Sequence, residues 1–343
     1  MGTRGGNGIW LGLAAAMGGV ALAADRIAKV RRAPAELRTP MAYVALPFNA
    51  VTLPWVRAAM ASPLYPTPTV APVPGVATRH QIVPGPAGAP DVGVLIHERP
   101  DRPKGSPALL WIHGGGFIIG AAAMYTPLCR TIAHELNILV VAVDYRLAPE
   151  QPFPAGLDDC AAVLAWLRAN ADELGIDPDR IAIGGDSAGG GLAACLVQRA
   201  HDEGTDVAFQ LLVYPMLDDR TCLRPASVGV GELGWTPASN RFGWSSYLDA
   251  DPGGPTAPPY SVAARRESLA GLPPAWIGVG TTDLFHDEDV AYAERLRADG
   301  VRVTLEVLEG FYHGADQLAP TASLTRRFRA AQLDALRGGL GLG

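Results

Sequence analysis

The sequence predicts an α/β fold, an open sheet of buried strands alternating with helices. Three observations carry that prediction. Short apolar runs recur along the chain, at Leu109–Ile112, Ile181–Gly184, Gln210–Pro215 and Pro274–Gly280. Longer helical stretches separate them, amphipathic at Gly156–Asn170 and rich in small residues at Gly190–Ala200. One apolar run also passes straight into a helix through Gly185-Asp186-Ser187-Ala188-Gly189, a sharp turn with a serine at its apex.

Taken in order, residues 35 to 75 are proline-rich and carry Met41, Tyr43, Phe48, Trp55, Met60 and Tyr65. These either pack as helices on the body or line a ligand channel. Val83–His97, the run at Leu109 and Ile138–Val143 open the sheet. Asp144–Glu150 is a loop whose Arg146 and Glu150 are expected to pair structurally. After Pro215, residues 218 to 262 are rich in Gly, Pro and Trp, with one helix expected at Asn240–Leu248. Trp235, Phe242, Trp244 and Tyr247 there are either pocket walls or core. Val301–Leu308 reads as a last strand. The final helix, Thr321–Leu336, presents Arg326, Arg327 and Arg329, with Arg337 just beyond, as a solvated face.

The serine turn matters because a hydroxyl is a weak nucleophile unless it is exposed beside a base and near donors for a developing oxyanion. Gly185, Asp186 and Gly189 support the turn, since side chains at the glycines would strike neighbouring backbone. A G-x-S-x-G pentapeptide alone is weak in a chain with 40 glycines. A second motif adds to it: the strand at Leu109–Ile112 leads into His113-Gly114-Gly115-Gly116-Phe117. Consecutive glycines let N–H groups turn into a cavity, so Gly114, Gly115 and Gly116, joined by Ala188, are the expected oxyanion donors. His113 is expected to orient that loop. Downstream of Ser187 stand His201, His286 and His313. His201 ends the helix after the serine and cannot reach back, and His286 sits in an acidic run. His313, in a loop beyond a late strand, is the expected base. Asp283 is the first carboxylate past the Pro274–Gly280 strand and is the expected acid. Asp287, Glu288 and Asp289 suit a first helical turn, and Glu288 could brace the loop.

With these residues in place the chain resembles the hormone-sensitive-lipase-like esterases of the α/β-hydrolase superfamily, also called bacterial family IV. The resemblance rests on His113–Phe117, Asp144-Tyr-Arg-Leu-Ala-Pro-Glu150, Phe153-Pro-Ala155, Gly185–Gly190 and Gly310-Phe-Tyr-His313-Gly314. It runs from about Ser106 to about Ala330. Thr282-Asp283-Leu284-Phe285-His286-Asp287-Glu288 departs from the family's D-P-L-x-D-E pattern at Leu284 and Phe285 but keeps the carboxylate. The resemblance implies an α/β-hydrolase fold: an eight-stranded, mostly parallel sheet flanked by helices, under a helical cap. The expected division is 1–75 as N-terminal segment and first part of the cap, 76–217 and 263–343 as the catalytic core, and 218–262 as the cap insertion. It further implies a serine carboxylesterase for short- to medium-chain acyl esters, acting on a small-molecule ester and water through an acyl-enzyme. A lipase, lactonase or amidase would use the same triad. A non-catalytic receptor on this fold is the contrasting class, and the presence of His313 argues against it.

Composition sets the remaining bounds. With 343 residues, 48% of them hydrophobic, the chain can fill a large core. A net charge of −6 gives no nucleic-acid footprint. Cys129, Cys160, Cys195 and Cys222 are scattered and read as buried free thiols. No Cys-x-x-Cys or His/Cys cluster appears, and Gly184-Gly185 with Gly189-Gly190-Gly191 only superficially resembles a dinucleotide loop, so neither metal nor cofactor is expected. Ile9–Ala24 is a sixteen-residue apolar run, short for a membrane span. A cleaved signal, an anchor and a peripheral cap helix all stay open. Arg26, Lys29, Arg31 and Arg32 just after it resist export, which favours a cytoplasmic or membrane-associated chain. The oligomeric state stays open, a dimer being one option.

Overall fold

The computed structural model describes residues 23–44, 48–60, 73–225 and 227–343. Its centre is one sheet of eight strands: β1 (Ala77–Val83), β2 (Val92–Glu98), β3 (Ser106–Ile112), β4 (Leu139–Asp144), β5 (Ile176–Asp186), β6 (Phe209–Val213), β7 (Ala275–Gly280) and β8 (Val303–Leu308). Their spatial order is β1-β2-β4-β3-β5-β6-β7-β8. β1 pairs antiparallel with β2, and β2 with β4. Every other neighbouring pair is parallel. The eight-stranded, mostly parallel sheet implied by the family resemblance is therefore present.

Helices cover both faces, so the central strands are buried on both sides and read as continuous apolar runs. All seven residues of β3 are buried. Ala108, Leu110 and Ile112 face a core shared with α4 (Ala155–Ala169), α6 (Ala188–Asp202) and α8 (His286–Ala298). Leu109 and Trp111, pointing the other way, join α3 (Thr126–Leu136) and α10 (Ser323–Gly339). The short helices α5 (Ala171–Leu174) and α9 (Ala315–Leu318) complete the body.

Two further layers sit above the carboxyl ends of the strands. The chain between β6 and β7 holds α7 (Pro237–Leu248). The N-terminal part is helical over residues 23–32 (α1) and at α2 (Leu53–Met60). Arg26 and Arg32 tie α1 to Glu232, through its carbonyl at 2.8 Å and its carboxylate at 2.6 Å. Phe48 packs on Trp235 with ring centroids 5.3 Å apart. Most of Ile9–Ala24, and Tyr65, lie outside the described residues. Among the described residues no helix is long and apolar enough to cross a membrane.

Several local expectations change. Arg146 and Glu150 do not pair with each other. Arg146 forks onto the buried Asp159 at 2.8 Å, and Glu150 pairs with Arg57 at 2.8 Å. A carboxylate as buried as Asp159 needs a close cation, and its place one turn into α4 puts it beneath Arg146. Arg329 is not simply solvated, because its Nη2 donates to the Asp316 carbonyl at 2.8 Å. Trp55 is 76% exposed and, among the described residues, neither joins the core nor lines the pocket at Ser187. Trp244 and Tyr247 stack around Phe117 at 5.2 and 4.0 Å and belong to the core, whereas Trp235 lines the site. Cys129, Cys160 and Cys195 are buried free thiols, and Cys222 is half-buried.

Candidate active site

The site begins with the turn between β5 and α6. Ser187 takes φ 54° and ψ −123°, a region that costs a non-glycine residue about 1–3 kcal/mol. The surrounding structure holds it there: Ser187 N–H donates to the Val213 carbonyl at 2.9 Å, and the Ser187 carbonyl accepts from Gly191 and Met216. Gly189 must be glycine, since a Cβ there would lie 2.1 Å from the Ile112 carbonyl oxygen. This close approach packs the start of α6 against the end of β3.

Three distant side chains converge on that turn. His313 Nε2 lies 2.9 Å from Ser187 Oγ. On its far side His313 Nδ1 lies 2.9 and 3.1 Å from the two oxygens of Asp283. Asp283 is fully buried, and its Oδ1 also accepts from the Phe285 N–H at 2.9 Å. It sits in the turn directly after β7, as expected. Phe285 and Tyr214 meet the imidazole edge-on at 5.0 and 4.8 Å and restrict its rotation.

The glycine loop lies beside the serine. Gly115 has φ +119°, and a Cβ on it would fall 2.1 Å from the Ile119 carbonyl oxygen, so only glycine fits. Among the described residues the amides of Gly115, Gly116 and Ala188 have no hydrogen-bond partner. Gly114 differs from the expectation. Its N–H already donates to Asp186 Oδ1 at 2.9 Å, so it is not free for a ligand. His113 is buried, its Nδ1–H donates to the Gly114 carbonyl at 2.8 Å, and its ring stacks on Tyr145 at 4.2 Å. Burial holds its pKa below the ordinary histidine value.

Asp186, next to the serine in sequence, faces away into a network of its own. Besides Gly114, it accepts from Tyr125 Oη at 2.7 Å and Gln317 Nε2 at 2.9 Å. Burial pushes its pKa up to about 7, against the opposing effect of these donors. Tyr125 and Gln317 were not singled out from the sequence. Their only local signal is that Gln317 follows His313 by four residues.

The acidic run after Asp283 does lie in the first turn of α8, but two of its three residues are withdrawn from solvent. Asp287 is exposed, but Glu288 and Asp289 are buried. Glu288 accepts from the Leu217 and Asp218 amides at 2.7 and 3.1 Å and from the Thr221 hydroxyl. It therefore braces the beginning of the β6–β7 insertion rather than the Asp283 loop. Burial raises Glu288 to about 8 and pushes Asp289 well above the usual range. Among the described residues no group of histidine, cysteine or acidic side chains is placed to hold a metal ion.

Above the serine is a cavity of about 220 Å³ whose walls include Gly115, Gly116, Met41, Phe48, Trp235 and Leu318. Body, N-terminal layer and insertion thus all contribute to it.

Comparison with known proteins agrees with this architecture. Residues 109–317 match a family described by its α/β hydrolase fold. The carboxylesterase NlhH of Mycobacterium tuberculosis is 37% identical over 73% of this chain and 80% of its own. Among solved structures, a bacterial heroin esterase superposes with TM-score 0.83 at 38% identity, over 91% of this chain and 99% of its own. The esterase LipW from Mycobacterium marinum gives TM-score 0.77 at 35% identity, over 90% and 96%. Since the family pattern runs from β3 to the short helix after His313, and the relatives match well beyond it, this chain belongs to the α/β-hydrolase family, in its hormone-sensitive-lipase-like branch.

Proposed function

We propose that this chain is a serine carboxylesterase that cleaves short- to medium-chain acyl esters. The observation that carries the reading is the continuous chain from Ser187 Oγ to His313 to Asp283, with contacts of 2.9 and 2.9 Å. Ser187 Oγ attacks the ester carbonyl while His313 Nε2 accepts its proton. The negative charge that develops on the carbonyl oxygen is met by the unpartnered amides of Gly115, Gly116 and Ala188. The positive end of α6 adds to that stabilisation. His313 then protonates the departing alcohol. A water repeats the sequence on the acyl-enzyme, with His313 again the base and Ser187 the leaving group. Asp283 keeps Nδ1 protonated and stabilises the imidazolium without taking its proton.

The relatives named as esterases support the reaction class, and the cavity of about 220 Å³ supports small substrates over long acyl chains. In this reading residues 76–217 and 263–343 form the catalytic body, and the cap consists of 1–75 together with 218–262. The basic cluster Arg26, Lys29, Arg31 and Arg32 favours retention on the cytoplasmic side, free or attached through Ile9–Ala24. A series of p-nitrophenyl esters of increasing acyl length tests the assignment, with Ser187→Ala and His313→Ala as controls. Turnover should peak at short to medium chains and vanish in both variants. Near-native turnover by Ser187→Ala would end the proposal, and activity confined to emulsified long-chain esters would move it to a lipase.

A further inference from the structure

Two walls of the catalytic pocket come from outside the α/β body. One is the N-terminal stretch around the 3₁₀ turn Pro40–Tyr43, which contributes Met41 and Val44. The other is the stretch from Gly231 to Trp235 in the β6–β7 insertion, which contributes Gly234 and Trp235. The insertion wall rests directly on the catalytic groups. The Gly231 N–H donates to the Thr282 carbonyl at 3.0 Å, next to Asp283 in sequence. A Cβ on Gly234 would fall 1.9 Å from the His313 carbonyl oxygen, and one on Gly116 would fall 2.2 Å from the Trp235 indole. Trp235 thus lies against the glycine loop, and how far it can draw back sets the room for an acyl chain.

Arg26 joins the two walls. From α1 its Nη1 donates to the Glu232 carbonyl at 2.8 Å, and its Nη2 donates to the Ala42 and Val44 carbonyls at 2.7 and 3.0 Å. Its Nε is buried without a partner among the described residues, so every hydrogen bond the side chain makes there goes to one wall or the other. Arg32 on the same helix holds the Glu232 carboxylate, but among the described residues it bonds neither Ala42 nor Val44. A guanidinium suits the task because its terminal nitrogens are held apart in one plane, each aimed at its own acceptor. Burial pulls the Arg26 pKa below the ordinary arginine value, as fits a cation set between two protein layers.

We propose that Arg26 sets the acyl-length selectivity of the esterase by clamping these two walls together, so that Trp235 cannot draw back from Gly116. Arg26 is a positioning residue, acting through Trp235 and touching no reacting atom. Its part in turnover rests on the esterase reading above, whereas the spacing of the walls does not.

The test compares Arg26→Gln, Trp235→Ala and the double variant of the full-length chain on p-nitrophenyl butanoate and octanoate. Arg26→Gln should raise the octanoate-to-butanoate ratio of kcat/KM by about tenfold, the low end of what one accommodated methylene is worth. In the Trp235→Ala background the same substitution should change the ratio by less than about twofold, because the side chain it restrains is gone. A purely structural loss would lower both esters alike and leave the ratio where it was, and that outcome overturns the proposal. So does an effect of Arg26→Gln that persists undiminished after Trp235→Ala. If Arg26→Gln does not fold, Arg26→Lys decides. It keeps the charge, but one nitrogen cannot stand at both positions held by Nη1 and Nη2, so the ratio should still rise, and an unchanged ratio counts against the clamp. Binding separates this role from the catalytic reading. In full-length Ser187→Ala, calorimetric titration with methyl butanoate and methyl octanoate should show Arg26→Gln shifting preference toward the octanoate. If the unmodified chain hydrolyses no ester, the catalytic reading falls, and this binding ratio still decides for or against Arg26.

Discussion

The turn at Ser187 and the rim above it are built on different principles. At the turn, backbone geometry leaves almost no choice. Ser187 is held at φ 54°, and added side-chain atoms at Gly189 or Gly115 would fall 2.1 Å from a carbonyl oxygen. At the rim, position is set by side chains meeting across the gap between the N-terminal layer and the insertion, as in Phe48 on Trp235 or Arg32 on Glu232. A backbone constraint is all-or-none, whereas a side-chain contact can be lost by degrees. Changes at the turn should therefore abolish function or folding, and changes at the rim should adjust selectivity.

The largest effect belongs to the turn. His313→Ala should lower kcat by about 10⁴-fold or more, because the hydroxyl, imidazole and carboxylate act as a unit. Removal of His313 also leaves the fully buried Asp283 without its ring partner, so thermal unfolding should fall by several degrees. Steady-state kinetics beside a melting curve would check both halves. A loss under tenfold would mean that the 2.9 Å contact with Ser187 does no chemistry.

Asp186 offers the next largest effect, now on stability. Its carboxyl is raised to about 7 by burial. A carboxyl that binds its proton more tightly folded than unfolded stabilises the fold at low pH. That contribution is whole below the ordinary aspartate value of about 3.9 and drains away as pH rises through about 7. The slope is on the order of 1 kcal/mol per pH unit within this window. Asp186→Asn should flatten it, measured by urea unfolding at pH 5, 6 and 7. Parallel slopes for the two proteins would show that Asp186 is not the group responsible.

The contrast between turn and rim also explains what the sequence reveals. Ser187 and His313 can be singled out because glycine spacing and chain order are local or one-dimensional signals. The central strands are legible for the same reason, since each carries a short apolar run, whereas the edge strand β1 is mostly polar and exposed and leaves no such signal. Partnerships across long separations leave no such trace. Asp186 meets Tyr125 and Gln317 across 61 and 131 residues, which is why the commitment of the Gly114 amide goes unseen. Glu288 and Asp289 are legible as a first helical turn, but their burial is not, because for Glu288 it comes from the insertion folding over it.

At the rim, Trp235→Ala should enlarge the pocket above Gly115 and Gly116, both of which line the same cavity. The expected result is a higher kcat/KM for longer acyl esters, by about 10- to 200-fold, since one methylene accommodated in an apolar pocket is worth ~1–3 kcal/mol. Competition between butanoate and octanoate p-nitrophenyl esters would measure it. An unchanged ratio would remove Trp235 from the determinants of chain length.

The smallest effects come from α2, where two residues on one short helix separate contact from mere proximity. Arg57 donates from Nε to the Ile118 carbonyl at 2.8 Å and from Nη2 to the Ala148 carbonyl at 2.7 Å. It thereby ties α2 to the loop that follows the glycines. Its removal leaves two partly buried carbonyls without their charged donor, so Arg57→Ala should cost about 1–2 kcal/mol. Trp55, two residues earlier and far larger, is 76% exposed. Trp55→Ala should stay within about 0.5 kcal/mol of the parent. Denaturant midpoints for the two variants give the comparison directly. If the tryptophan costs more than the arginine, then α2 buries its exposed face against something further, and the rim is more extensive than these layers alone.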